Sequence, residues 1–101
     1  MGTLNWVERW YSSQCNGDWE HEFGVRIETL DNPGWSVTIS IENTDLRYKS
    51  FETVNIERDT NNWLHCKIDY HKERDGYHFF GYGGSGNLEE ILNTFKEWAE
   101  S

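Results

Sequence analysis

The N-terminal segment has the spacing of apolar residues that predicts an amphipathic helix. Its apolar residues recur at intervals of three and four positions, as on one face of a helix: Leu4, Val7 and Tyr11. Thr3 is the expected N-cap, because its hydroxyl can accept a hydrogen bond from a free amide of the first turn. Asn16-Gly17 should stop the helix, since glycine adopts the left-handed conformation at little cost. We therefore place a helix at about residues 4–15.

Two alternating segments follow and predict a β-hairpin. Bulky residues occupy the odd positions of both, which is the period of a strand with one buried face: Phe23, Val25, Ile27 and Thr29, then Trp35, Val37, Ile39 and Ile41. Asn32-Pro33-Gly34 lies between the segments and is expected to turn the chain. The shared parity requires a loop with an odd number of residues, taken as three. The pairing then places Ile27 near Ile39 and Val25 near Ile41.

Three further strands are predicted in the second half of the chain, at residues 53–58, 63–72 and 77–82. Leu64, Cys66 and Ile68 share one face of the second of these, which indicates that this face is buried. Asp75-Gly76 predicts a two-residue type I′ turn before the last strand, because both residues tolerate a positive φ.

The C-terminal segment is the clearest helix in the sequence. Its apolar stripe has helical spacing: Leu88, Ile91, Leu92, Phe95 and Trp98. Asn87 and Glu90 have the spacing of a capping box. The whole pattern predicts an α+β fold with an N-terminal helix, a five-stranded antiparallel β-meander and a C-terminal helix. We treat residues 1–101 as a single domain in which both helices most simply cover one face of the sheet.

The charge balance narrows the class of partner. The chain has 9 Lys and Arg against 18 Asp and Glu, which gives a formal net charge of −9. Because neutralising a phosphate backbone requires an excess of basic residues, no nucleic-acid partner is expected. A basic protein partner, or solubility alone, fits the charge better.

The sequence also indicates the cellular compartment in which the protein functions. No hydrophobic run approaches the roughly 20 residues of a membrane span, and the N-terminus has no signal-peptide core. We therefore expect a cytoplasmic protein without membrane association. Cys15 and Cys66 should then be free thiols, and a disulfide between them is the minor alternative.

No motif indicates catalysis, a metal ion or a cofactor. The glycine-rich segment at residues 83–86 precedes a helix but lacks the Lys-Ser or Lys-Thr of a phosphate-binding loop. Cys66 and His65 are adjacent on a strand, so their side chains point to opposite faces. The spacing of His21, His65 and His71 matches no zinc motif. We expect no enzyme.

One candidate binding site is the acidic corner, defined here as Asp18–Glu22. Asp18, Glu20 and Glu22 surround a large aromatic residue, Trp19. Carboxylates beside an exposed aromatic side chain suit the capture of a surface rich in Arg or Lys, with Trp19 as the anchor. The alternative is a solvated lead into the first strand, with Trp19 folded onto the core.

The outer face of the second hairpin is the other candidate. A two-residue turn at Asp75-Gly76 places His71 opposite Phe80 and Asp69 opposite Tyr82. His71, Phe80 and Tyr82 then share the face away from Leu64 and Cys66, together with Trp63 and His65. Left uncovered, this face would be a partner surface. The competing explanation is that one helix packs there.

Read from end to end, the sequence resembles the immunity protein 53 family of bacterial polymorphic toxin systems. The resemblance rests on RWYSSQCNGDWEHEFG, on IETLDNPGWSV, and on the run from Trp63-Leu64-His65-Cys66 to FFGYGGSGNLEEILNTFKEWAE. It covers nearly the whole chain and implies an α+β cytosolic protein that binds and neutralises a cognate toxin domain. The family supplies no catalytic residues.

The resemblance and the acidic charge together favour an immunity protein for a cognate toxin, such as a nuclease with a basic cleft. The rival is a small-molecule binder or small enzyme that uses the sheet face around His65, His71 and Tyr82. A deep pocket with shifted histidines would favour the rival, and a flat face would favour a protein partner. The oligomeric state and the identity of the toxin stay open.

Overall fold

The computed structural model describes residues 2–101 as three helices and one five-stranded sheet. In chain order the elements are α1 (Thr3–Gln14), α2 (Trp19–Glu22), β1 (Val25–Leu30), β2 (Gly34–Ser40), β3 (Val54–Asp59), β4 (Asn62–His71), a 3-10 turn (Lys72–Arg74), β5 (Gly76–Gly83) and α3 (Leu88–Glu100). The α+β architecture expected from the sequence is confirmed. The short helix α2 was not expected.

All strand pairs are antiparallel, but the strand order is β1-β2-β5-β4-β3 rather than the order of a meander. Residues 41–53 take the chain from the end of β2 to the far edge of the sheet, and β5 pairs between β2 and β4. Side chains in this crossing segment pack into the core. Leu46 is buried, and the Phe51 ring lies edge-on to Phe79 and Trp98. Burial of these groups favours the long connection over a direct β2–β3 hairpin.

The two long helices, α1 and α3, lie on one side of the sheet. The predicted stripe of α3 is confirmed, since Ile91, Leu92, Phe95 and Trp98 are all buried. Gly81 of β5 permits the close approach of α3, because a Cβ there would collide with the Ile91 side chain.

The helix α1 packs on α3 and completes this layer. The ring of Trp10 lies 5.0 Å from that of Phe95, edge-on, and Val7 is buried in the same core. Aromatic edge-to-face contacts of this kind add to the stabilisation from burial alone.

The β1–β2 hairpin has the expected three-residue loop, at residues 31–33, but its register differs by two residues. Val25 pairs with Ile39 and Ile27 with Val37, because the loop is centred on Asn32 rather than on Pro33. A shift of two residues keeps each side chain on its expected face.

The β4–β5 hairpin departs further from expectation. A two-residue turn at Asp75-Gly76 is wrong, because Lys72–Arg74 form a 3-10 turn and Asp75 alone adopts the left-handed conformation, with φ 53°. Gly76 is already in β5 and pairs with His71. The register is therefore displaced by four residues, which again preserves the faces.

Two capping predictions are also corrected. Gly2, not Thr3, is the N-cap of α1, and the Thr3 hydroxyl donates a hydrogen bond to the side chain of Asn93 in α3. Asn87 is the N-cap of α3 as expected, but its side chain makes no cap hydrogen bond and donates to Glu90 at 3.0 Å. Gly17 has the positive φ of 97° expected of a helix stop.

Candidate protein-binding surface

Within residues 2–101, α1 and α3 both pack on one face of the sheet, and we call the opposite face the open face. Its side chains come from alternate positions of the three central strands: Ser36, Thr38 and Ser40 of β2, His78, Phe80 and Tyr82 of β5, and Trp63, His65, Lys67, Asp69 and His71 of β4. The predicted grouping of His71, Phe80 and Tyr82 on this face is confirmed. The competing expectation that a helix packs there is wrong, because α1 and α3 both bury side chains against the opposite face.

One end of the open face is an aromatic cluster. The His71 ring stacks on Phe80 at 5.9 Å and lies 5.9 Å from the ring of His78. Phe80 is only 8% exposed, since these histidines and Lys67 cover it. Phe80 therefore packs beneath the surface side chains and exposes little area for contact with a partner.

Tyr82 lies at the other end of the open face. It pairs with His65 of β4, whose ring lies 5.1 Å from that of Trp63. Tyr82 is six residues along β5 from Gly76, the partner of His71, which corresponds to about 20 Å of strand. His65, His71 and Tyr82 therefore do not form one pocket.

Trp19 of the acidic corner is buried, so an exposed anchor at this position is wrong. It is 3% exposed, and its indole Nε1 donates a hydrogen bond to the Glu42 carbonyl at 2.8 Å. Its ring lies edge-on to those of Trp10 and Tyr11. Residues 19–22 form a helical turn rather than an extended segment, and this turn directs the indole onto α1.

The three carboxylates of the corner have different environments. Glu20 accepts hydrogen bonds from the amides of Asn16 and Gly17, at 2.9 Å from each. Hydrogen bonds from its own amide and from these two amides lower the pKa of the Glu20 carboxyl. Glu20 therefore holds the α1–α2 connection, whereas Asp18 and Glu22 are exposed and free to meet a partner.

A groove joins the acidic corner to the aromatic cluster of the open face. Its volume is about 790 Å³, and its lining comes from the end of α2, the start of β1 and the β4–β5 loop: His21, Glu22, Phe23, Gly24, Val25, Arg26, Thr38, His71, Glu73, Arg74, Asp75 and His78. The groove thus brings together two residues predicted in separate sites, Glu22 and His71.

His78 forms part of the groove wall and was not predicted as a site residue. It is 4% exposed, and its Nδ1 lies 2.9 Å from the Gly76 carbonyl oxygen. A carbonyl oxygen can only accept, so Nδ1 holds the hydrogen of the neutral ring. Burial lowers the pKa of His78, which keeps the imidazole neutral near pH 7.

Replacing His78 with glutamine should flatten the pH dependence of stability. The folded state holds the pKa of His78 below its ordinary value of about 6.5, so the unfolded state binds more protons as the pH falls. The contribution of neutral His78 to the free energy of unfolding is therefore present above about pH 6.5 and is lost as the pH falls through the folded-state pKa. Urea unfolding of the natural protein and of H78Q, followed by tryptophan fluorescence between about pH 7.5 and 5.5, checks this. The exposed His21→Gln is the control, and parallel curves for the natural protein and H78Q would contradict the expectation.

The charged side chains of the open face are largely paired with one another. Arg26 lies 3.8 Å from Glu28, Lys67 lies 3.5 Å from Asp69, and His65 lies 3.3 Å from Glu57. Exposed pairs of this kind stabilise a fold by at most about 1 kcal/mol. Within each of the pairs Arg26–Glu28 and Lys67–Asp69, the two charges also offset each other on this side of the sheet.

Glu42 is the residue that sequence reasoning missed with the largest structural role. Its carboxylate accepts hydrogen bonds from the Tyr77 amide at 2.7 Å and from Arg47 Nε at 3.0 Å. Because its carbonyl also accepts from Trp19, it ties the corner to the start of β5. No periodic pattern in the sequence marks Glu42. His78 could have been found, because side chains alternate along β5 and His78 therefore lies on the same face as Phe80.

The two cysteines are free thiols, as expected. Burial raises the pKa of Cys66 to about 12, which makes this thiol a poor nucleophile. Among residues 2–101, no group of three or more His, Cys, Asp or Glu is arranged to hold a metal ion. Within the same residues, no helix is both long and apolar enough to span a bilayer.

Comparison with known proteins identifies the family of this chain. No curated protein and no solved structure matches the chain significantly. The profile of the family described as immunity protein 53 matches residues 4–100, which includes both helices of the packed layer and the whole sheet. The resemblance noted in the sequence is thereby confirmed, and the chain belongs to the immunity protein 53 family.

Proposed function

We propose that this protein binds a cognate toxin domain in the cytosol through its open face and acidic corner, and so neutralises the toxin. Membership of the immunity protein 53 family supports the immunity role. The observation that supports this surface is the placement of α1 and α3, which leaves the opposite face of the sheet uncovered. Half-exposed aromatic residues there, Trp63 and Tyr82, are the kind of side chain enriched at protein interfaces.

The size of the open face supports a contribution of the corner to binding. Even with the edge strands β1 and β3 included, five strands spaced about 4.8 Å apart, each about seven residues long, span roughly 600 Å². A stable interface buries about 800 Å² on each partner. The exposed carboxylate of Glu22, which lines the groove, and that of Asp18 at the start of α2 would supply the additional area.

A basic toxin suits this surface. The net charge of −9 favours association with a partner of opposite sign, and the acidic corner concentrates part of that charge. A nuclease domain fits this description, since its substrate cleft is basic in order to hold nucleic acid. Insertion of the acidic corner into such a cleft would exclude the nucleic acid and block the enzyme.

Affinity purification of the tagged protein from its native cytosol tests the proposal. We expect a stoichiometric basic partner that is toxic when expressed alone and harmless when expressed with this protein. A partner that stays toxic in the complex would overturn the neutralising role.

Neutralising the exposed corner should slow association with the toxin. The double variant Asp18→Asn/Glu22→Gln removes two charges but retains Glu20, which holds the connection. We expect the association rate at low salt to fall about three- to tenfold, and its salt dependence to flatten. Stopped-flow kinetics across a salt series measures both.

The matched control for this experiment is Glu97→Gln/Glu100→Gln, which removes the same charge from the exposed face of α3. We expect this control to affect the rate much less, because the helix lies on the opposite side of the sheet. Equal effects of the two double variants would show that net charge, rather than the acidic corner, steers the toxin.

A small-molecule function is the second candidate, and the groove volume of about 790 Å³ favours it. Ligand pockets in proteins commonly have volumes of about 300–1,000 Å³. The separation of Tyr82 from His71 argues against the particular cluster expected from the sequence. A thermal-shift screen with metabolites separates the candidates: a stabilising ligand that leaves toxin binding intact would favour an independent small-molecule site.

A further inference from the structure

We propose that the groove receives an arginine or lysine side chain of the toxin; this inference rests on the proposed function and names the chemistry recognised. The groove lies between the end of α2 and the β4–β5 loop. Two independent features support a cationic, donor-only occupant. One is the hydrogen-bonding state of the histidines in its wall, and the other is the placement of carboxylates on both rims.

The buried wall of the groove offers one hydrogen-bond acceptor, at His78, and one unpartnered nitrogen, at His71. Because Nδ1 of His78 donates to the Gly76 carbonyl, the Nε2 atom of the neutral ring has only a lone pair to offer. The Nδ1 atom of His71 is buried without a hydrogen-bond partner among the described residues. A buried unpaired polar atom destabilises the protein until a partner reaches it. A guanidinium or ammonium group has donors and no acceptor, and so complements the lone pair of His78.

Carboxylates stand on both rims of the groove. Glu22 lies at the end of α2, and Glu73 and Asp75 lie on the β4–β5 loop. Arg26 and Arg74 also line the groove, so three negative and two positive side chains give a formal charge of −1 with neutral histidines. Arg26 already lies 3.8 Å from Glu28 outside the groove. Arg74 has no carboxylate within 4.0 Å among residues 2–101, and it is the group that a bound cation would displace.

Protonation of His78 should weaken this preference. The titratable and charged groups that line the groove around it are His21, Glu22, Arg26, His71, Glu73, Arg74 and Asp75. A proton on His78 would occupy the lone pair of its Nε2 atom and add a positive charge to the wall. A cationic occupant is then expected to leave at acidic pH, whereas an anionic occupant would bind more tightly.

Nuclear magnetic resonance titration of the full chain with blocked Gly-Arg-Gly tests the proposal. The matched probe is the same peptide with citrulline, which has nearly the same shape and no charge. Near pH 7.5 we expect the arginine peptide to shift the resonances of Thr38, His71 and His78, and to bind about tenfold more tightly than the citrulline peptide. Its affinity should fall on acidification, because His78 then gains a proton and loses its acceptor.

Variants of charged groove residues provide the second arm. Glu22→Gln/Glu73→Gln should weaken the arginine peptide about fivefold, and Arg74→Ala should tighten it about twofold. The control Glu97→Gln/Glu100→Gln should leave its affinity unchanged. Equal binding of the citrulline peptide, tighter binding at acidic pH, or shifts confined to other surfaces would overturn the proposal.

The two proposals fail separately. If the toxin binds but the arginine peptide does not shift the groove resonances, the groove proposal is overturned and the proposed function stands. If the co-purified partner is not neutralised, the proposed function is overturned whatever the peptide does.

Discussion

Replacing Trp19 with alanine is expected to lower the free energy of unfolding by about 3–5 kcal/mol, the usual cost of truncating a buried tryptophan. The indole is 3% exposed, and its ring lies near those of Trp10, Tyr11 and Phe23. Removing it leaves a cavity under the acidic corner and leaves the Glu42 carbonyl without its donor. Urea unfolding followed by circular dichroism measures the loss.

Two further substitutions separate a structural role of Trp19 from a role in binding. Trp19→Phe keeps an aromatic ring but loses the indole donor and part of the ring volume, so we expect a smaller loss of about 1–3 kcal/mol. Trp35→Ala is the matched truncation of a tryptophan that is only half-buried, and it should cost less than Trp19→Ala. If Trp19→Phe instead weakened toxin binding tenfold or so while stability stayed the same, Trp19 would be a binding residue after all.

Trp19 also shows which part of a site can be predicted from sequence. The composition of residues 18–22 identified an acidic segment, and two of its carboxylates, Asp18 and Glu22, are exposed. Composition did not reveal the direction of the tryptophan, because that depends on a single helical turn stabilised by contacts with α1. A helix of four residues is too short to produce a periodic pattern in the sequence.

The strand faces were predictable for a different physical reason. Side chains alternate along a strand, so parity assigns each residue to a face without knowledge of its partner strand. The registers of both hairpins differ from the expected ones by an even number of residues, so each side chain stays on its predicted face. The pairing of individual residues was not predictable, because it depends on loop conformation. The left-handed Asp75 and the 3-10 turn moved His71 from Phe80 to Gly76.

The strand order was beyond the reach of local pattern altogether. A meander follows if each strand pairs with the next along the chain, which is the commonest connection. Here residues 41–53 contribute Leu46 and Phe51 to the core, and their burial becomes visible only when α3 is in place. The groove depends on this order, because it requires β2 and β5 to be neighbours beneath the acidic corner.

Replacing Glu42 with alanine should cost about 3 kcal/mol of stability and also displace the β5 wall of the groove. The substitution leaves the Tyr77 amide without an acceptor and Arg47 without its partner. Each loss of a partly buried partner costs about 1–3 kcal/mol. The Arg47–Glu42 pair is about one-fifth exposed, which moderates the electrostatic part of this figure.

The effect of Glu42 on binding follows from its position between two elements. Its backbone carbonyl accepts from Trp19 of α2 and remains after substitution, whereas its carboxylate accepts from the Tyr77 amide and so fixes the start of β5. Glu42→Gln keeps an acceptor for the Tyr77 amide and loses only the charge opposite Arg47. We therefore expect Glu42→Gln to retain more than half of the lost stability and most of the toxin affinity, whereas Glu42→Ala should weaken binding about tenfold among molecules that remain folded. Equal affinities for the two variants, measured by calorimetry at a temperature where both are folded, would show that the β5 wall of the groove holds its place without this residue.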